Sequence, residues 1–149
     1  LINTLNFDAA IDYKNQNVDD MLDKYCPNGV NVYFDNVGGK ITDSVINKLA
    51  NYARVAVCGV ISQYNLTAPE PGLRTHRAML TGQCTTEGFL VFQFAQKYHI
   101  GQERMAKWIK EEKIIYKEDV VEGLENAPEA FIGLMNGKNF GKLLIKVSD

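Results

Sequence analysis

Residues 30–59, VNVYFDNVGGKITDSVINKLANYARVAVCG, decide the fold. Val30 to Phe34 is a compact apolar and aromatic run that leads into Asp35, Asn36, Val37, Gly38 and Gly39. Ile41, Val45, Ile46 and Leu49 then fall on one face of a helix, and Arg54 to Cys58 reads as the next strand, ended by Gly59. Strand, helix and strand within about 30 residues is a βαβ unit, whose strands are expected side by side and parallel. RVAVC carries apolar residues on both faces, as a strand covered by helices on both sides does.

The same alternation extends in both directions. Phe7 to Tyr13 is expected to be a short strand. Val18, Met21, Leu22 and Tyr25 follow as one face of a helix that Asn17 can cap and that Pro27, Asn28 and Gly29 stop. Beyond Gly59, residues 65–77 carry Pro69, Pro71 and Gly72 and read as a loop leading into a short helix. Thr86 to Phe92 is expected to be a buried strand, and Met105, Trp108 and Ile109 the buried face of an otherwise charged helix. Asn126 to Met135 reads as a last helix, with Pro128 in its first turn and Gly137 just past its end. Phe140 to Val147 closes the pattern as a strand. The class is α/β with a doubly wound parallel sheet.

Composition removes several alternatives. The 149 residues are 46% hydrophobic and 23% charged, close to globular averages and unlike disordered or coiled-coil chains. With 16 Lys plus Arg against 18 Asp plus Glu, the net charge of −2 supplies no basic excess for nucleic acid. No apolar stretch approaches the roughly 20 residues needed to span a bilayer, so no membrane partner is expected. Cys26, Cys58 and Cys84 are three widely spaced cysteines, which fit a reduced, cytoplasmic chain better than a disulfide framework. His76 and His99 have no second ligand-type residue at zinc spacing, so no metal site is expected. The chain opens Leu-Ile-Asn without a signal segment and is read as a piece of a longer protein.

In an open parallel sheet, ligands bind beyond the carboxyl ends of the strands. Three such ends stand out. Asp35 to Gly39 places two glycines between strand and helix, where a backbone can approach a ligand, with Asn36 offering both a donor and an acceptor. Cys58, Gly59, Val60, Ile61, Ser62, Gln63, Tyr64 and Asn65 put a glycine ahead of a run of hydrogen-bonding groups. Glu87 to Val91 is a strand whose backbone can face a flat ring. Each is either an ordinary turn or part of a nucleotide site. The glycine-rich first turn that seats a pyrophosphate on a helix N-terminus does not precede Phe7.

The segments FDAAIDYKN, VYFDNVGG, VAVCGVISQYN, TEGFLVF, DVVEGLENAPEAF and NFGKLLIKV, in this order, cover essentially the whole chain. They resemble the zinc-free medium-chain dehydrogenases/reductases, in particular the NADP-dependent alkenal double-bond reductases, also called prostaglandin reductases. The resemblance implies an incomplete Rossmann domain lacking its first strands and an N-terminal catalytic domain. Residues 140–148 would then be a terminal strand returning to that missing domain. It also implies NADP(H) contacts: Tyr13 near the 2′-phosphate, Asn36 at the cofactor, Cys58 through Tyr64 along the nicotinamide half, Phe89, Leu90 and Val91 along the nicotinamide ring, and Asn139 as a final contact.

The implied reaction reduces the C=C bond of an α,β-unsaturated aldehyde or ketone, with hydride going to the β-carbon and a proton to the α-carbon. Tyr64 is the candidate catalytic residue, as hydrogen-bond donor to the enolate or proton source; otherwise it packs against cofactor or substrate. A homodimer is implied through strand 86–92, which is short, apolar and free of the lysine or proline that blunts an exposed edge. Two other readings stand beside this one. The chain alone is a non-catalytic nucleotide-binding or dimerisation module, and the parent is a zinc-free quinone oxidoreductase.

Overall fold

The βαβ unit read from residues 30–59 is present in the computed structural model, which describes residues 1–148. Strand β1 (Val30–Asp35) leads into helix α3 (Gly39–Ile46), and strand β2 (Leu49–Val57) returns parallel to β1. Two helices precede them: α1 (Ile2–Leu5) and α2 (Val18–Tyr25), whose first turn is capped by Asn17 Oδ1 accepting from the Asp20 amide at 3.1 Å. Helix α4 (His76–Gly82) and strand β3 (Thr85–Gly88) complete a three-stranded parallel sheet in the order β1-β2-β3. These elements form a unit that ends at Ala95. Its core is Leu22 of α2, Val45 and Ile46 of α3, and Ala53 and Val55 of β2, all buried.

A second unit begins at Gln96. It holds helix α5 (Tyr98–Lys110), strand β4 (Glu118–Glu122), helix α6 (Ala127–Met135) and strand β5 (Lys142–Lys146). Strands β4 and β5 pair in parallel from Glu118↔Lys142 to Glu122↔Lys146, so this is a second βαβ arrangement. Pro128 lies in the first turn of α6, and Gly137, at φ 66°, turns the chain after it. No helix among the described residues is long and apolar enough to cross a membrane.

Four expectations are corrected. Phe7 to Tyr13 is not a strand. A strand needs a neighbour, and at its end Asp12 organises a turn instead: its carboxylate accepts from the Lys14 amide at 3.1 Å and from Asn15 Nδ2 at 2.7 Å. The strand placed at 86–92 stops at Gly88 and is exposed rather than buried. Gly88 pairs with Val57, the last residue of β2, and Phe89 N donates once more to the Val57 carbonyl at 3.2 Å. Beyond Val57 the neighbouring chain turns away, so Leu90 to Phe92 have nothing to pair with and Val91–Lys97 winds into a 3-10 helix. Met105, Trp108 and Ile109 on α5 are 51%, 39% and 45% exposed, not a buried face. Leu49, assigned to the face of α3, begins β2, because the helix ends at Ile46.

Asp35, the last residue of β1, is the buried charged residue of the first unit, at 2% exposure. An ionised carboxylate there needs partners. It has four: the Gly38 amide at 2.9 Å, the Val37 amide at 3.0 Å, the Tyr33 hydroxyl at 3.0 Å and the Thr42 hydroxyl at 2.6 Å. Burial alone would raise its pKa; the Thr42 hydroxyl, the Gly38 and Val37 amides and the Tyr33 hydroxyl outweigh burial and hold it below the ordinary value. Burial, with Asp35 adding to it, pushes the Tyr33 phenol up to about 12, so Tyr33 stays protonated and donating.

A depressed folded-state pKa means that folding favours the ionised form. The resulting stability is fully present above the unfolded value of about 4 and is lost as pH falls through the lower folded value. Urea unfolding at pH 6 and pH 3 is therefore expected to show a larger acid loss of stability in the wild type than in Asp35→Asn. Equal losses would mean that Asp35 is not held ionised by this turn.

Candidate functional site

The carboxyl ends of β1 and β2 meet at one place, and the backbone explains how. After Asp35 the chain must turn into α3, and Gly38 does so at φ 73°, ψ −163°, a region essentially closed to side chains. Gly39 follows at φ 63°. The segment after β2 is stitched onto this turn. Cys58 N and Gly59 N both donate to the Asp35 carbonyl, at 2.7 and 3.2 Å, and Ser62 N donates to the Val37 carbonyl at 3.0 Å. The Ser62 hydroxyl reaches the same Val37 carbonyl at 2.6 Å. The Asp35 carboxylate thus sets one side of the turn, and the 58–62 segment closes the other.

Within this frame Asn36, Gly59 and Tyr64 come together. A Cβ on Gly59 would stand 2.6 Å from Asn36 Oδ1 and 3.5 Å from the Tyr64 hydroxyl. The first separation is shorter than real Cβ contacts, so position 59 admits glycine alone while Asn36 holds this rotamer. A Cβ on Gly39 would likewise stand 2.9 Å from Ser62 Oγ. The glycines thus let Asn36, Ser62 and the Tyr64 hydroxyl pack close against the backbone. Tyr64 is 66% exposed, so its hydroxyl is accessible. Alongside, a cleft of about 310 Å³ is bordered by Gly38, Gly39, Lys40, Val60, Gln63 and Glu70.

The third strand end adds an aromatic wall. Phe89 is fixed by its bond to Val57, and its ring lies 6.1 Å from both Phe34 and Phe94, tilted to the first and edge-on to the second. Leu90 and Val91 project from the segment after β3 and are 64% and 57% exposed. Two sequence candidates belong to other segments. Tyr13, 59% exposed, sits in the turn that Asp12 organises. Asn139 belongs to the second unit, where it borders a cleft of about 400 Å³ with Asp119, Asn126, Lys138 and Leu143.

Sequence reasoning named Asn36 and the glycines but passed over Asp35, Tyr33 and Thr42, which hold them. An acidic residue three positions before a glycine at a strand end is the signal for an Asx-type turn. Among the described residues no three His, Cys, Asp or Glu side chains gather where they could hold a metal ion, so the residues described do not fit a zinc centre. At Gly38, Gly39 and Gly59 the space a side chain would take is filled by Val60, Ser62 and Asn36, so these glycines let the 36–39 turn and the 58–62 segment pack against each other.

Comparison with known proteins agrees with this architecture. A family model described as "Zinc-binding dehydrogenase" matches residues 5–145. The chain is 44% identical over 143 residues to the 2-alkenal reductase (NADP(+)-dependent) of Nicotiana tabacum, covering 95% of this chain and 41% of the relative. It is 41% identical over 149 residues to the NADPH-dependent curcumin reductase of Escherichia coli, covering 97% of this chain and 43% of that one. The crystal structure of CurA in complex with NADPH from Vibrio vulnificus superimposes with a TM-score of 0.90 at 42% identity, over 99% of this chain and 45% of its own. This chain thus spans less than half the length of these proteins. Matched along nearly its whole length in sequence and in fold, the chain belongs to the zinc-binding dehydrogenase family, in the branch that holds the alkenal and curcumin reductases.

Proposed function

We propose that this chain is the later part of the cofactor-binding domain of a cytoplasmic NADP(H)-dependent oxidoreductase, and that the complete enzyme reduces the C=C bond of an α,β-unsaturated aldehyde or ketone. The observation that carries the reading is the cleft of about 310 Å³ at the ends of β1 and β2, bordered by Gly38, Gly39, Val60 and Gln63, with Asn36 and Tyr64 drawn together at Gly59. When bound, NADPH supplies the hydride that goes to the β-carbon, and the α-carbon then takes a proton.

The chain's own residues divide the rest. Gly38 and Gly39 border the cleft that takes the cofactor, and Asn36, packed against Gly59, offers it an amide. The stretch Cys58 to Tyr64 lines the nicotinamide half, with Phe89, Leu90 and Val91 along the ring. Tyr13 serves the 2′-phosphate region, and Asn139 makes a further contact. Tyr64, exposed and carrying a hydroxyl that can donate, hydrogen-bonds the substrate oxygen as negative charge develops there, or delivers the proton.

Rate enhancement depends on fixing hydride donor, acceptor and proton source together. In this reading, part of the cleft comes from residues outside the chain. The 149-residue chain mixed with NADPH and an unsaturated aldehyde is therefore expected to show no steady loss of absorbance at the NADPH band; sustained turnover would contradict this. In the complete enzyme, Tyr64→Phe is expected to lower kcat by about 10-fold to 1000-fold while NADPH affinity changes little. Unchanged kcat would reduce Tyr64 to a packing residue.

The enzyme pairs as a homodimer along β3. This strand is one of the two outer strands of its sheet, and the adjoining Leu90, Val91 and Phe92 are 64%, 57% and 77% exposed. β3 itself is Thr-Thr-Glu-Gly, an edge without lysine or proline, and with the apolar Leu90 to Phe92 exposed beside it, it invites pairing that an isologous partner covers. Light scattering on the complete enzyme is expected to find Leu90→Glu or Val91→Glu monomeric. If both stay as dimeric as the wild type, the interface lies elsewhere.

A further inference from the structure

We propose that Asp119 is a positioning residue for cofactor binding, its carboxylate folding the Asn139–Gly141 turn that presents Asn139. The inference rests on the reading of Asn139 as a cofactor contact. Asp119 lies on the half-buried face of β4, opposite Leu143 of β5. A carboxylate in that place is costly unless hydrogen-bonded. It spends one oxygen, Oδ2, on two successive backbone donors, Phe140 N at 2.5 Å and Gly141 N at 2.9 Å.

The rest of the turn has little else to hold it from outside. The Phe140 side chain is 88% exposed, so apolar burial does not anchor the segment. Asn139 Nδ2 donates to the Gly141 carbonyl at 2.8 Å, which closes the turn on itself. Gly141 must be glycine, since a Cβ there would overlap the Lys117 carbonyl group. With Nδ2 engaged in this way, Asn139 keeps its carbonyl oxygen and a second amide hydrogen for a ligand. Asp119 and Asn139 border the same cleft of about 400 Å³, so the carboxylate acts where the amide is presented. Without it, the Phe140 and Gly141 amides lose their acceptor, and the turn is free to carry Asn139 elsewhere.

The test is NADPH binding to the complete enzyme by titration calorimetry, alongside steady-state kinetics, for Asp119→Val, Asp119→Asn, Asn139→Ala and the Asp119→Val/Asn139→Ala pair. Asp119→Val keeps strand propensity and is expected to raise the NADPH Kd about tenfold, with kcat at saturating NADPH within about twofold of wild type. Both amides bond to a single oxygen, so Asp119→Asn is expected to restore affinity to within about threefold. The pair is expected to bind no more weakly than Asn139→Ala alone, because Asp119 acts through Asn139. Unchanged affinity in Asn139→Ala would overturn the reading of Asn139 itself. Weakened affinity in Asn139→Ala with unchanged affinity in Asp119→Val, or fully additive losses in the pair, would overturn the role of Asp119 alone. If Asp119→Val does not fold, Asp119→Ser, too short to reach both amides, replaces it with the same expected outcome.

Discussion

Everything at the first unit's strand ends hangs on the Asp35 carboxylate. Its four donors come from the strand before it, the turn after it and the helix beyond, so one side chain ties β1, the 36–38 turn and α3 together. The Asp35 carbonyl does the same for β2 by taking the Cys58 and Gly59 amides. Asn36 is placed by consequence, held between a residue with no conformational freedom and glycines that leave it room. A buried carboxylate is costly, and this one is retained where its full complement of donors makes it a rigid corner rather than a liability.

The second unit uses a related device. In both, a carboxylate collects two backbone amides from a turn that contains glycine: Asp35 takes Val37 and Gly38, and Asp119 takes Phe140 and Gly141. In both, an asparagine sits in or beside the turn so formed. The shared logic is physical. Glycine lets the backbone fold tightly, but its freedom must be removed by something else, and a charged acceptor for two amides removes it.

The sequence carried the β1-α3-β2 unit clearly, because apolar period, glycine punctuation and β-branched runs all agreed there. It failed where strand formation depends on a neighbour. Phe7 to Tyr13 has strand-like residues but no partner, and the Asp12 turn prevails. The run after Gly88 is equally strand-like, yet β2 ends at Val57 and leaves it unpaired. Strand β4 was not anticipated, since EDVVE is short and flanked by acids. Of the candidate site, the glycines and Asn36 were legible as a strand-end pattern, and their approach to Tyr64 follows from the stitching of residues 58–62 onto the turn. Asp35, Thr42 and Asp119 were not legible, because an acid in a turn looks like solvated surface until its donors are seen. Tyr13 and Asn139 came from family resemblance rather than from any local signal.

The most direct test of a cofactor seat at the ends of β1 and β2 is a crystal structure of the complete enzyme with NADPH. The expected result has Asn36 within hydrogen-bonding distance of the cofactor, the Gly59 backbone in van der Waals contact with it, and the Asp35 bonds to Val37 and Gly38 intact. Cofactor bound elsewhere, with Asn36 and Gly59 facing only solvent, would contradict it.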